Sequence, residues 1–381
     1  MAAVPVKPLG IQTEVLQTVL VRPPVVAAER AELAQRFYQS FDNLMARNFY
    51  AKYLDLNFAE AVIKNHPDAS KLNKRVILEK CSVLVKMIVQ RVLDARFRPE
   101  TFFDVMASLG RASEPLDPLW FPEIRAAYRE YSDKGNPAKK DRLLFPYIKG
   151  NSLVDIGCGS GRDVAWMKAR HPEVIKKAGG IDVVRWAAEL LREDFQLLDL
   201  SKPGVVSPKQ YDTGMLIYVI HHVGNTQEKI NIFLTGVKTA VRSRLLVMED
   251  IVLAERDLAL PLQGRIEAGG QPEFREFLML NHQARHDFTV LNDFFLNGLY
   301  RGVSEISFPL GFHSITEWVG IFKGNGFKVN QIKLLGFPEG NFHRACHCLF
   351  VLDIPEKYFF LSRFQTAPLK SGKIESSEKV F

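Results

Sequence analysis

The chain has 381 residues, 47% of them hydrophobic and 24% charged, which is the composition of a soluble globular protein large enough for two or three domains. Charged residues interrupt every apolar run before it reaches the roughly 20 residues that a membrane-spanning helix needs. Four cysteines are too few for a disulfide framework, which favours a reducing, cytoplasmic location. A mitochondrial leader is the weaker interpretation of the N-terminus.

The net charge of +7 is carried mainly by the N-terminal part of the chain. Residues 1–150 contain 23 basic and 17 acidic side chains, whereas residues 151–355 contain 22 and 23. A basic N-terminal half is compatible with docking to RNA or a ribonucleoprotein, and equally with a plain solvated surface. The sequence therefore leaves both interpretations open.

Residues 1–148 are predicted to form a mostly helical N-terminal domain. Apolar residues recur at helical spacing in Leu33–Leu44 and again in Val76–Val92. In the second stretch the predicted apolar face consists of Val76, Leu78, Val83, Leu84, Ile88 and Val92.

Residues 149–355 show short apolar runs that alternate with helical stretches, which is typical of a parallel sheet covered on both faces. The predicted strands are Leu153–Ile156, Gly179–Val183, Phe195–Leu198, Thr213–Ile220, Arg244–Ile251, Phe327–Leu335 and Ala345–Asp353. The last two are joined by a link too short for a crossover helix, so this pair is predicted to be antiparallel. Residues 252–312 are too long for a plain connection and are expected to form a cap or lid. The polar residues 356–381 are expected to form a flexible tail.

A glycine-rich loop, LVDIGCGSGRD, follows the first predicted strand. Its glycines, Gly157, Gly159 and Gly161, let the backbone turn tightly and approach a ligand closely at the start of a helix. Arg162 stands where the dinucleotide fingerprint needs glycine, which disfavours a nicotinamide or flavin pyrophosphate. A Walker phosphate loop is excluded as well, because no Gly-Lys-Ser/Thr follows.

This loop and the segments GGIDVV, FQLLDLSKP and YVIHHV after it resemble, in order, the motifs of class I S-adenosylmethionine-dependent methyltransferases over residues 150–355. The resemblance implies a seven-stranded Rossmann-like α/β sheet with an antiparallel last strand, preceded here by the helical domain. It also implies S-adenosyl-L-methionine as cofactor. The residues it assigns to cofactor binding are Asp155, Gly157, Gly159, Gly161, Asp182, Val183, Asp199, Leu200 and Tyr218.

Within that resemblance each position has a role. Asp155 and the glycines surround the methionine end of the cofactor, and Asp182 accepts hydrogen bonds from both ribose hydroxyls. Asp199, with the backbone N–H of Leu200, reads the edge of the adenine.

Candidate catalytic residues lie at the carboxyl edge of the predicted sheet, where open α/β folds bind ligands. Methyl transfer from a sulfonium demands positioning, and it needs a base only when the acceptor must lose a proton. His221 and His222 end the fourth predicted strand and Glu249 ends the fifth, while His286 lies in the cap segment. Each of these four is a candidate catalytic residue, with packing or helix capping as the alternative role.

No metal site is predicted. His282 and His286 are four residues apart, but Gln283 stands where the zinc motif H-E-x-x-H needs glutamate. The spacing of Cys346 and Cys348 does not match a C-x-x-C pair.

The sequence thus predicts a methyltransferase for a small or medium-sized acceptor, with residues 252–312 and part of the N-terminal helices closing over it. The alternative is an RNA- or ribonucleoprotein-associated methyltransferase, or a cofactor-binding assembly factor that docks through the basic N-terminal half.

Overall fold

The computed structural model describes residues 27–65, 73–94, 137–184, 194–300, 310–338 and 345–355. The N-terminal segment considered as a leader and the predicted tail at 356–381 lie outside these ranges.

The described part of the N-terminal half is helical, as the apolar periodicity predicts. Its helices are α1 (Ala27–Asp42), α2 (Leu44–Asn65), α3 (Lys74–Asp94) and α4 (Pro137–Leu144).

The buried face of α3 differs from the predicted one. Leu84, Ile88 and Val92 are buried as expected, but Val76, Leu78 and Val83 are exposed. The buried face begins with Ile77 and Cys81 instead, because positions spaced by three and four residues share one side of a helix. The complete buried stripe of α3 is Ile77, Cys81, Leu84, Val85, Ile88 and Val92.

The described residues of the C-terminal part form one seven-stranded sheet with the strand order 3-2-1-4-5-7-6. Strands β1 to β5 pair in parallel, whereas β7 runs antiparallel to both β5 and β6. The strands are β1 (Ser152–Ile156), β2 (Lys177–Asp182), β3 (Phe195–Leu197), β4 (Tyr211–Ile217), β5 (Val241–Asp250), β6 (Lys328–Gly336) and β7 (His347–Asp353). The predicted fold class, including the antiparallel last strand, is confirmed.

Helices cover both faces of the sheet, so successive residues of a strand enter different cores. In β5, Leu245 and Val247 belong to one buried cluster, and Leu246 and Met248 belong to the other. The helices that follow strands in this part are α5 (Arg162–Arg170), α6 (Gln227–Ala240) and α10 (Ile315–Gly324). This two-sided burial explains why the strands are almost continuously apolar.

The fourth predicted strand is too long at its carboxyl end. It ends at Ile217, and Ile220–His222 forms a turn of 3-10 helix. Tyr218 adopts a positive φ of 59°, which turns the chain out of the sheet. The backbone N–H groups of Val219 and Ile220 then donate to the Glu249 side chain rather than to a neighbouring strand. His221 and His222 therefore lie in a turn after β4.

The segment between β5 and β6 folds into helices that pack on the N-terminal half. These are α7 (Arg265–Gly270), α8 (Pro272–Met279) and α9 (His282–Tyr300). Phe294 of α9 lies edge-on to Phe37 of α1 at 5.3 Å between ring centroids, and Phe288 lies 4.8 Å from Phe49 of α2. Aromatic burial of this kind fixes α9 against both helices.

Across the described ranges, none of the helices combines the length and apolarity needed to cross a lipid bilayer.

Candidate functional site

The glycine loop leaves β1 at the carboxyl edge of the sheet and leads into α5. Gly157, Gly159 and Gly161 all have positive φ, at 72°, 53° and 71°, a backbone region that glycine adopts without strain. A Cβ at Gly157 would lie 2.6 Å from a methyl of Val219, whereas one at Gly159 would meet nothing within 4 Å. The loop is therefore packed against the turn after β4 on one side and open on the other.

Asp182, the last residue of β2, is tied to this loop. Its Oδ2 accepts the N–H of Gly159 at 2.8 Å and its Oδ1 accepts the N–H of Val184 at 3.0 Å. The carboxylate is buried at the carboxyl edge of the sheet. Val183, next in the chain, is exposed at the same edge.

Asp155 lies near the end of β1 in an electrostatically unusual place. It is buried, and desolvation raises the pKa of its carboxyl well above the ordinary value. Asp163 and Asp182 raise this pKa further, while Lys140 opposes them. Lys140 is itself bound to Asp163, at 2.5 Å between Nζ and Oδ2. Asp155 thus interacts with two other acids near the loop, and Lys140 supplies the opposing charge.

The end of β3 carries the predicted adenine-binding pair. Asp199 Oδ1 accepts the N–H and the hydroxyl of Ser201, which closes the turn after the strand. Leu200 is buried in the core, and its carbonyl would lie 2.8 Å from a Cβ at Gly236 of α6. The Leu200 side chain therefore packs inward, so any contact with a ligand there falls to its backbone.

Tyr218 packs against one buried cluster of the sheet, whereas the next residue, Val219, packs against the other. Its ring lies 4.8 Å from the His347 ring of β7. His347 is fully buried, with Nδ1 2.8 Å from Asp250 Oδ1 at the end of β5.

His221 is held by Glu249 in the protein interior. His221 Nδ1 lies 2.6 Å from Glu249 Oε2, and Glu249 Oε1 accepts the N–H groups of Val219 and Ile220. Burial alone would lower the pKa of His221, but the Glu249 charge and hydrogen bond outweigh it and raise the pKa to about 9. Both side chains are almost completely inaccessible to solvent. At neutral pH His221 therefore carries a positive charge.

His222 and Asp293 complete this group. Asp293 comes from α9, and its Oδ1 lies 3.7 Å from His222 Nε2 and 4.0 Å from His221 Nε2. The side chain of His222 is 23% exposed, in contrast to the other two. Sequence reasoning missed Asp293, although it lies seven residues after His286 on α9 and so on the same helical face.

His286 lies away from this group, on the wall of a cavity of about 590 Å³ between α1 and α9. Its Nδ1 lies 3.6 Å from Asp287 Oδ1, which is an ion-pair contact longer than a normal hydrogen bond. Asp287 beside it accepts hydrogen bonds from Ser40 Oγ at 3.0 Å and Asn43 Nδ2 at 2.8 Å. Leu310, in the described segment before α10, also lines this cavity.

The cavity and the histidine turn are linked by the chain next to Leu310. The N–H of Gly311 donates to the carbonyl of His221 at 3.4 Å, and the ring of Phe312 stacks on that of His221 at 5.1 Å. The structure thus brings His221, His222 and Glu249 together, and it places His286 on a neighbouring cavity.

No family model matches the sequence, and no curated protein matches it either. Solved structures are similar in fold. The methyltransferase SibL in its apo form has a TM-score of 0.40 and 14% identity, with 87% of this chain and 100% of that chain covered. Magnesium protoporphyrin IX methyltransferase from Synechocystis PCC 6803 with bound SAH has a TM-score of 0.34 and 15% identity, with 67% and 97% covered. An O-methyltransferase family protein from Burkholderia thailandensis has a TM-score of 0.37 and 12% identity, with 70% and 71% covered.

These TM-scores are low, so the fold assignment depends on the sheet itself. Its strand order, its antiparallel β7 and its glycine loop after β1 are those of the class I, Rossmann-like methyltransferase fold.

Proposed function

We propose that this protein is an S-adenosylmethionine-dependent methyltransferase that transfers the methyl group to a small or medium-sized acceptor. The observation that carries the proposal is the pairing of the open glycine loop with the Asp182 carboxylate at the carboxyl ends of adjacent parallel strands. Ligands of open α/β sheets bind at this edge.

The residues present fit the cofactor. A Cβ at Gly159 would meet nothing within 4 Å, so the loop has open space where the methionine end would lie. The carboxylate of Asp182 would accept the ribose hydroxyls, and the adenine edge would lie at the turn of Asp199 and Leu200.

The charge of the loop favours a cation over a dinucleotide. S-adenosylmethionine has a positive sulfonium and a positive amino group at its methionine end. A positive charge beside Asp155 would favour the ionised form of this acid, whose pKa is raised by burial and by the neighbouring acids. A pyrophosphate in the same place would disfavour that form further and would be repelled by Asp182. The charges at the loop therefore disfavour a dinucleotide, as does Arg162 at the third glycine position of the dinucleotide fingerprint.

The cavity between α1 and α9 is the proposed acceptor pocket. It adjoins the segment that contacts the histidine turn, and a volume of about 590 Å³ suits a small or medium-sized molecule. His286 would contact the acceptor there. Its ring is partly exposed on the cavity wall, with Nδ1 3.6 Å from Asp287 Oδ1, a contact longer than a normal hydrogen bond that leaves room for a ligand.

His222 is the better candidate for a general base than His221. His221 is protonated at neutral pH and buried, so it is a poor proton acceptor there. Both oxygens of Glu249 are engaged, so we assign Glu249 the part of a positioning residue that orients His221. His222 alone of the three has an exposed edge.

Docking to RNA through the N-terminal half gains no support from the described residues. Lys140, one of its basic side chains, is neutralised by Asp163. The four cysteines are unpaired, which supports a reducing compartment such as the cytoplasm.

Calorimetric titration of the full-length chain with S-adenosylmethionine tests the proposal. Asp182→Asn removes the charge of the ribose acceptor and is expected to weaken binding by about 1–3 kcal/mol, or about 5- to 150-fold. The matched control is Asp194→Asn, a carboxylate at the other end of β3 paired with Lys209 at 3.4 Å, which should bind normally. No binding by the wild type, or unchanged affinity in Asp182→Asn, would contradict the proposal.

A further inference from the structure

Two histidines and one carboxylate meet where the turn after β4 faces α9. The donor atoms of His221, His222 and Asp293 all lie within 4.8 Å of one another. The two nitrogen-to-oxygen distances, 4.0 Å and 3.7 Å, are longer than a hydrogen bond. Atoms that share an ion at about 2.0–2.2 Å lie about 3–4 Å apart, so these separations are close to those of a set of metal ligands.

Glu249 contacts the ring nitrogen of His221 that faces away from the cluster, as carboxylates do at metal-binding histidines. It holds Nδ1 of His221 at 2.6 Å, which fixes the ring and directs Nε2 towards Asp293. A carboxylate on the far nitrogen of a ligating histidine orients the ring and increases its basicity. Glu249 is in turn held by the N–H groups of Val219 and Ile220, so the ring is positioned by backbone.

The charges around the cluster also favour a cation. Two buried carboxylates face the ring of His221: Glu249 Oε2 lies 2.6 Å from Nδ1 and Asp293 Oδ1 lies 4.0 Å from Nε2. Buried carboxylates need positive charge beside them, and a bound ion would supply it.

We propose that His221, His222 and Asp293 bind one divalent transition-metal ion of the zinc or iron(II) class. Two imidazoles and one carboxylate suit such ions and leave further coordination positions open. The open side is that of His222, the least buried donor. From the sequence no metal site is predicted, because the local zinc motifs are incomplete. Asp293 belongs to none of those motifs and is brought to the histidines only by the packing of α9. The inferred metal site does not depend on the proposed methyl transfer. In the metal-bound protein His222 is a ligand, so its proposed role as general base applies to the metal-free protein.

The test is direct metal binding by the full-length chain after treatment with a chelating resin. Titration with Zn²⁺ by calorimetry should show one ion per chain, and Co²⁺ should give the visible absorption of a site with nitrogen and oxygen ligands. His222→Ala and the isosteric Asp293→Asn should each weaken the affinity by about a hundredfold or more. His222 is partly exposed, so its variant should fold, which circular dichroism would verify.

The matched control is His282→Ala, which removes an exposed histidine of the same helix and should bind Zn²⁺ like the wild type. Failure of Zn²⁺ and Co²⁺ to bind saturably would overturn the proposal and leave the cluster as an ion pair network. Wild-type affinity in both His222→Ala and Asp293→Asn would overturn it too, as would loss of the ion in His282→Ala. S-adenosylmethionine titrated into the same metal-free samples reports separately on the proposed function.

Discussion

Alanine substitutions at Gly157 and Gly159 should have different effects on stability and on cofactor binding. Gly157 and Gly159 both have positive φ, which costs alanine about 1–2 kcal/mol, partly offset by a less flexible unfolded chain. At Gly159 there is no steric cost in addition, because the new Cβ would enter open space. Gly159→Ala should therefore lower the free energy of unfolding by only about 1 kcal/mol. At Gly157 the Cβ also meets Val219 at 2.6 Å, and overpacking adds about 1–3 kcal/mol.

Urea denaturation and calorimetry on the two variants measure both effects. Gly157→Ala should be the less stable by at least about 1 kcal/mol. Gly159→Ala should stay folded yet bind S-adenosylmethionine at least about tenfold more weakly, because its methyl occupies the proposed cofactor space. Equal destabilisation of the two variants would refute the geometric reasoning. Normal cofactor affinity in a folded Gly159→Ala would refute the assignment of the loop.

Three other substitutions probe the surroundings of the site. Asp287→Asn should destabilise the chain by about 1–3 kcal/mol at pH 7, because Ser40 and Asn43 donate to this carboxylate. Burial alone would raise the pKa of Asp287, but its hydrogen-bond donors hold the pKa below the ordinary value. The loss of stability caused by Asp287→Asn should therefore shrink as the pH falls below about 4, where the wild-type carboxylate becomes protonated. A loss of stability that is independent of pH in urea titrations would contradict this. Asp55→Asn should stabilise the protein by about 1 kcal/mol at pH 8 and not at pH 4, since desolvation raises the pKa of this partly exposed acid from 3.8 to about 6. The unfolded chain ionises first, so the wild type loses stability as the pH rises through this interval and stays less stable above it. Equal stability of the two proteins at pH 8 would argue against this. Glu249→Gln should lower kcat while the affinity for S-adenosylmethionine stays the same, and a loss of cofactor affinity alone would remove Glu249 from its positioning role.

The sheet was predictable because buried parallel strands leave a local signature. Runs of apolar residues predicted the ends of each strand to within three residues, and the glycine loop indicated where β1 ends. The end of β4 was predicted wrongly, since Tyr218–Ile220 is as apolar as a strand. What ends the strand is the positive φ of Tyr218 together with two N–H groups that bind Glu249, and that residue belongs to another strand.

The grouping of side chains at the site was harder to predict. His221 and Glu249 could be placed at one edge of the sheet, because the ends of adjacent parallel strands share an edge. Asp293 and the cavity depend on how α9 packs against α1 and the turn after β4. That packing is decided by aromatic contacts such as Phe37 with Phe294, between residues far apart in sequence. Local periodicity shows that a helix is amphipathic without showing which partner covers it.

A crystal structure of the full-length chain with S-adenosylhomocysteine tests the central claim most directly. The account predicts the ribose hydroxyls within hydrogen-bond distance of Asp182, the amino-acid end beside Gly159 and the adenine beside the backbone of Leu200. A ligand bound elsewhere, or one that leaves Asp182 bonded only to the N–H groups of Gly159 and Val184, would contradict it.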